Sequence, residues 1–240
     1  MNFANIVARA FAPKDGTKVA AEIRAMDTDD EVEILVYDQI GYWGITSEEF
    51  RRQLQDIDAT TIHLRIDCPG GDVFMARAMK TALEQHPARV IAHVDGLAAS
   101  AASYLMLAAD EIVAAKGAFV MIHNAWMLTM GDVRDHQSSA DMLAKIDDAI
   151  RADYVIKTGE DDAVWRDRMN AETWLEAEEA VEIGLIDRVF EKEGGANNRF
   201  DVALFENAPA ALLSAGEDEI ARKYHARQMR KIEFLERTAP

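Results

Sequence analysis

Four short stretches carry residue types that can do chemistry. "GLAAS" (96–100) ends on Ser100 and is followed by "AASYL". A hydroxyl at the first turn of a helix sits beside unpaired N–H groups and the positive end of the helix dipole. With a base in reach, such a hydroxyl can act as a nucleophile, and the N–H of Ala101 can face the oxyanion it generates. Ser103 lies deeper in the same helix and is expected to bond a carbonyl one turn back. "FVMIH" (119–123) ends on His123, where an apolar strand leaves its sheet; an imidazole there can take a hydroxyl proton. "AETWLEAEEA" (171–180) offers Glu172 as the carboxylate that orients the imidazole, with Asp161, Asp162 and Asp167 competing for the role. "PGGD" (69–72) has adjacent glycines that let the main chain approach a ligand and aim N–H groups into a cavity. Singly, each stretch also has an ordinary reading: a packed serine, a hydrogen-bonded histidine, a capping acid, a tight turn.

Their joint order narrows the choice. The set "PGG…GLAAS…MIH…ETWLEAEEAVEIGLID" resembles the proteolytic subunit of the Clp protease, over about Val32 to Val189. The resemblance implies Ser100 as nucleophile, His123 as general base, Glu172 as third member, and the amides of Gly71 and Ala101 as oxyanion hole. It implies no metal or organic cofactor. Two departures stand out. Housekeeping members continue "M-I-H" with glutamine and proline, whereas Asn124, Ala125 and Trp126 follow here, and the family's aspartate is a glutamate.

The "MIHNAW…ETWL" combination and the extended C-terminus look more like the Clp-related head maturation proteases of tailed phages and prophages. That resemblance implies cleavage of scaffold and capsid proteins in the bacterial cytoplasm, within assembling proheads and without an unfoldase. It also implies a homo-oligomeric ring; the long helix near 138–157 is the expected contact, the alternative being a surface helix packed on its own domain. Three other readings stay open: a housekeeping-type subunit working with an ATPase, a non-catalytic assembly protein on the same fold, and a crotonase-like acyl-CoA enzyme. The last shares the spiral of ββα units and the paired N–H groups but has no need of a serine–histidine pair.

The elements that must position these residues alternate along the chain. "EVEILVYDQIG" (31–41) reads as a strand, and Thr46 with Glu49 has capping-box spacing for a helix to about Gln55. "TIHLRI" (61–66) is a strand, 73–85 a helix, "RVIAHV" (89–94) a strand, and the run from 96 to 105 a helix. "EIVAA" and "FVMIH" are short strands, 138–157 a long amphipathic helix, and 176–190 a short helix stopped at Gly184 before a strand. Such alternation predicts an α/β fold, the Clp-protease/crotonase type of spiral of repeated ββα units with mostly parallel sheets. The expected organisation is an N-terminal segment (1–30), a peptidase domain (31–190), then a linker, a loosely apolar patch and a basic helical tail (191–240).

Composition bounds the remaining classes. The chain has 240 residues and a formal charge of −17, with 43 acidic against 26 basic side chains, which argues against a nucleic-acid partner. Six basic residues (Arg222, Lys223, Arg227, Arg230, Lys231, Arg237) face only Glu233 and Glu236 in the last twenty positions. Cys68 is alone, so no disulfide framework or cysteine zinc site is expected. The uncharged run between Asp95 and Asp110 falls short of the ~20 residues that span a bilayer, and the N-terminus shows no signal-peptide pattern. A protein without a membrane partner is expected.

Overall fold

The computed structural model describes residues 22–25, 30–42, 44–190, 202, 205–210 and 212. Among these, eight strands form one sheet: β1 (Glu22–Ala25), β2 (Glu31–Val36), β3 (Thr61–Cys68), β4 (Arg89–Ala99), β5 (Glu111–Ala115), β6 (Phe119–Ile122), β7 (Thr173–Glu176) and β8 (Arg188–Phe190). The helices are α1 (Ser47–Gln55), α2 (Val73–Glu84), α3 (Ala101–Leu105), α4 (Val133–Thr158), α5 (Asp162–Asn170) and α6 (Ala177–Glu182), with a 3-10 turn at Met106–Ala108. The sheet runs β1-β2-β3-β4-β5-β8, and β6 joins β4 off this path. Pairing is parallel throughout except β1 with β2 and β6 with β7. This is the expected α/β arrangement with a mostly parallel sheet.

Period-two burial builds the core. Ile62, Leu64 and Ile66 of β3 are fully buried, while His63 and Arg65 between them lie on the other face. The helices close over the apolar face through Phe50 and Leu54 of α1 and Ala76, Met79 and Leu83 of α2. Thr46 caps α1 by accepting from the Glu49 N–H, and Asp72 caps α2 by accepting from Phe74 and Met75.

One strand does two jobs. Residues Ile91–Val94 of β4 pair with β5, whereas Leu97–Ala99 pair with β6. The run 96–105, expected as helix, is therefore strand as far as Ala99 and helix only from Ala101. Parallel pairing with Phe119–Met121 overrides the helical propensity of the alanines.

Three elements gave no usable sequence signal: α5 buries only Trp165 and Met169, too few for a periodic stripe, and β1 and β7 are four residues long each. The long helix begins five residues before its expected start, because Asp132 and Asp135 form a capping box there; Gly159, at φ 73°, ends it. The linker expected at 191–200 and the basic tail from 221 lie outside the described residues. No helix among the described residues is long and apolar enough to cross a membrane.

Candidate active site

Ser100 occupies the single-residue joint between β4 and α3, at φ 53° and ψ −123°. Few non-glycine residues adopt such a backbone, which costs about 1–3 kcal/mol and persists only where neighbours fix it. Here the Ser100 N–H donates to the Met121 carbonyl (2.8 Å), and its carbonyl accepts from the Ser103 N–H (3.0 Å) and the Ser103 hydroxyl (2.7 Å). Its own side chain makes no capping bond. The hydroxyl is thereby left to the imidazole: His123 Nε2 lies 2.7 Å from Ser100 Oγ.

Register explains this meeting. Ala99 pairs with Met121 in the β4/β6 ladder, so the residues just past both strand ends emerge side by side. On the other flank β6 pairs antiparallel with β7, Ile122 opposite Thr173, which sets His123 next to Glu172. Glu172 Oε2 stands 4.0 Å from His123 Nδ1, beyond hydrogen-bond range but within Coulombic reach. Glu172 is also held at positive φ (48°), and its Oε1 accepts from Trp174 Nε1 (3.3 Å) and the Asn207 N–H (2.7 Å). Of the competing acids, Asp162 is engaged by Arg151 and Arg166, and the carbonyls of Asp161 and Asp167 serve the two ends of α5. Burial holds the His123 imidazolium below its ordinary pKa, with the Glu172 charge pulling the other way.

The glycine turn completes the arrangement. Gly71 forms a parallel bridge with Ile40, in which the Ile40 N–H donates to the Gly70 carbonyl and the Asp72 N–H to the Ile40 carbonyl, each 2.8 Å. In such a bridge the N–H of the central residue faces away from the partner strand. Gly71, Ser100, Ala101 and His123 all line one cavity of about 380 Å³. Ala101 is the first helical residue, so its N–H precedes any intrahelical acceptor. Gly70 is equally constrained: a Cβ there would stand 2.7 Å from Ser100 Cβ and 2.6 Å from the Ala99 carbonyl oxygen. The rest of the cavity is largely apolar, with Tyr42, Phe74, Trp126, Met127, Ile146 and Ile150 among its walls.

The departures "NAW" are used structurally. The Asn124 amide donates to Asn170 Oδ1 (2.7 Å), its N–H to the Met169 carbonyl (3.3 Å), and the Ala125 N–H to Asp147 Oδ1 (2.7 Å). These bonds tie the segment after His123 to the end of α5 and to α4.

Ser103 is fully buried, and its hydroxyl also meets the Tyr154 hydroxyl at 2.7 Å, joining α3 to α4. Ser103→Ala leaves the Tyr154 hydroxyl short of a buried partner, so a loss of about 1–3 kcal/mol is expected in denaturant unfolding. Reaction of Ser100 with a fluorophosphonate should persist in that variant, which separates the structural serine from its neighbour.

Phe205 and Asn207 escaped the sequence reading. They fall in "VALFENAPAALL", an apolar patch beyond the expected domain end; an aromatic inside that patch was the available signal.

The sequence profile of the Clp protease family matches residues 30–193. The chain is 31% identical over 162 residues to the ATP-dependent Clp protease proteolytic subunit 2 of Treponema denticola, covering 65% of this chain and 78% of that protein. It is 31% identical over 128 residues to the ATP-dependent Clp protease proteolytic subunit 1 of Protochlamydia amoebophila, covering 52% of this chain and 62% of that protein. The corresponding subunit of Deinococcus radiodurans is 29% identical over 134 residues, 55% of this chain and 65% of that protein. The matches therefore span slightly under two thirds of two of these relatives. This α/β chain belongs to the Clp protease family.

Proposed function

We propose that the protein is a serine endopeptidase in which Ser100 attacks a peptide carbonyl. His123 removes the hydroxyl proton and returns it to the leaving amine. The Gly71 and Ala101 N–H groups receive the oxyanion, and Glu172 steadies the imidazolium. Water then hydrolyses the acyl-enzyme by the same route. The observation that carries this reading is the 2.7 Å contact between Ser100 Oγ and His123 Nε2, made by a serine whose backbone is held at positive φ. The chemistry proposed uses no cofactor.

The finer assignment is a head maturation protease that cleaves scaffold and capsid proteins, supported by the Asn124–Ala125–Trp126 departure and the glutamate at 172. A homo-oligomer is part of it. Met130, Val133 and Ile156 are each at least 80% exposed, Met142 is half exposed, and all four lie along or beside α4, which supports burial against another copy. The relatives are ATP-dependent Clp protease subunits, which favours a second reading, a subunit that depends on an ATPase.

The test is co-expression of the chain with adjacent capsid and scaffold genes, wild type beside Ser100→Ala, with fragments compared by mass spectrometry. Trimmed capsid or scaffold products only in the wild type are expected. Peptidase activity that appears only with an added ATPase favours the second reading. An unlabelled Ser100 together with acyl-CoA binding overturns the peptidase altogether.

A further inference from the structure

We propose that the chain around Phe205 and Asn207, beyond the stretch matched to the family, is a positioning element of this site: Phe205 walls the His123 imidazole, and the Asn207 N–H anchors the Glu172 carboxylate. The proposal rests on the serine-peptidase reading and adds to it two residues that sit outside residues 30–193.

Side-chain alternation shows why this face needs a cover. Ala98, Val120 and Ile122 point into the main core, whereas Leu97, Ala99 and Met121 point to the opposite side of the same two strand ends. Those three pack with Val202, Phe205 and Leu212 in a separate apolar cluster, with Phe119, Trp174 and Ala208 at its edge. The cover thus lies on the back of the very strand ends that carry Ser100 and His123.

Within it, Phe205 is 8% exposed and meets the His123 ring edge to face, centroids 5.7 Å apart, and the Trp174 ring in the same manner at 5.6 Å. Water is kept from that side of the imidazole, which agrees with the depressed His123 pKa.

The carboxylate is controlled from the same turn. The Asn207 N–H donates to Glu172 Oε1 (2.7 Å) while the Asn207 amide donates to the Ala171 carbonyl (2.8 Å). The turn is closed by the Phe205 N–H on the Val202 carbonyl (3.1 Å) and the Leu212 N–H on the Pro209 carbonyl (2.9 Å). With Oε1 held by two N–H donors, Oε2 is the oxygen left to face His123 Nδ1. Glutamate is one methylene longer than aspartate and has one more rotatable bond to fix, so a second anchor has a clear use here.

The experiment uses the full chain and a fluorogenic peptide chosen from a mixed-sequence library because the wild-type chain cleaves it. It compares Phe205→Ala, Phe205→Leu, Asn207→Ala and Asn207→Pro with wild type, after fluorophosphonate labelling has established that wild-type Ser100 reacts. Phe205→Ala should lower kcat about 10- to 100-fold with KM within about twofold, as a small displacement of a catalytic group does. Its kcat/KM should also rise at a higher pH than in wild type, since a solvated imidazolium is easier to form. Phe205→Leu restores most of both. Asn207→Pro, which deletes the N–H, should fall well below Asn207→Ala, which keeps it. Asn207 is on the surface, so this pair decides the matter if Phe205→Ala does not fold. Wild-type kcat and pH profile in Phe205→Ala, or equal rates in the two Asn207 variants, would overturn the proposal. A wild-type Ser100 that never labels instead brings down the peptidase reading beneath it.

Discussion

Ser100→Ala is expected to lower kcat by about 10⁶-fold while leaving the fold and KM nearly unchanged, and His123→Ala should lose about as much. The two losses do not add, because hydroxyl and base act as one unit through a single 2.7 Å contact. A residual rate above that in water should survive in both, owed to the paired N–H groups and to substrate binding. The Ser100→Ala chain is also expected to be slightly less stable: alanine at φ 53° relieves no strain, and the largely buried His123 Nε2 loses its 2.7 Å partner. The pH profile gives an independent check. The base must be neutral, so kcat/KM rises with pH through the pKa of His123, which burial sets below the ordinary imidazole value. Glu172 favours the charged imidazole, so Glu172→Gln should move this acid limb to still lower pH while reducing kcat. An acid limb that moves upward in Glu172→Gln would mean that the carboxylate does not act on His123.

Much of this was legible from the order of residues. Alternation in "TIHLRI" and the cap at Thr46 named β3 and the start of α1, because burial on one face and a terminal hydrogen bond leave local marks. The meeting of positions 100 and 123 could be inferred only from resemblance to a family. No local rule says that β4 exchanges one neighbour for another halfway along, and this exchange is what sets the two residues together. The same exchange explains the misread alanines, whose helical preference of a few tenths of a kcal/mol yields to three parallel pairings. Glu172 is singled out among four nearby acids by its place before Trp174 and Leu175, yet its positive φ and the pairing of β7 are invisible in a four-residue strand. Phe205 and Asn207 were beyond reach for a different reason. Their contacts are with residues 30 to 110 positions earlier, and nothing in a loosely apolar patch says which surface it covers.

The glycine turn provides the second large effect. Gly71→Ala should cut kcat by about 10²–10³-fold, the loss that follows removal of one oxyanion donor, with a smaller change in KM. The reason is steric. A Cβ at position 71 would stand 2.0 Å from the Ile40 carbonyl oxygen and 3.1 Å from the Ile40 nitrogen, both main-chain atoms that cannot rotate away. The backbone, at φ 138°, must therefore move, and the bridge that orients the Gly71 N–H moves with it. Ile40 is itself 1% exposed and paired with Ile45 as well as Gly71, so the displacement also costs stability; a lower unfolding midpoint is expected. Gly117→Ala supplies the contrast. That glycine is likewise at positive φ (80°), but a Cβ there meets nothing within 4 Å, so the strain of its turn is the only cost and activity should hold. If Gly71→Ala kept full kcat on a folded chain, the amide at 71 would not be facing the oxyanion. Stabilisation of that charge would then fall to Ala101 and the helix it begins, and the close packing of the turn would be structural alone.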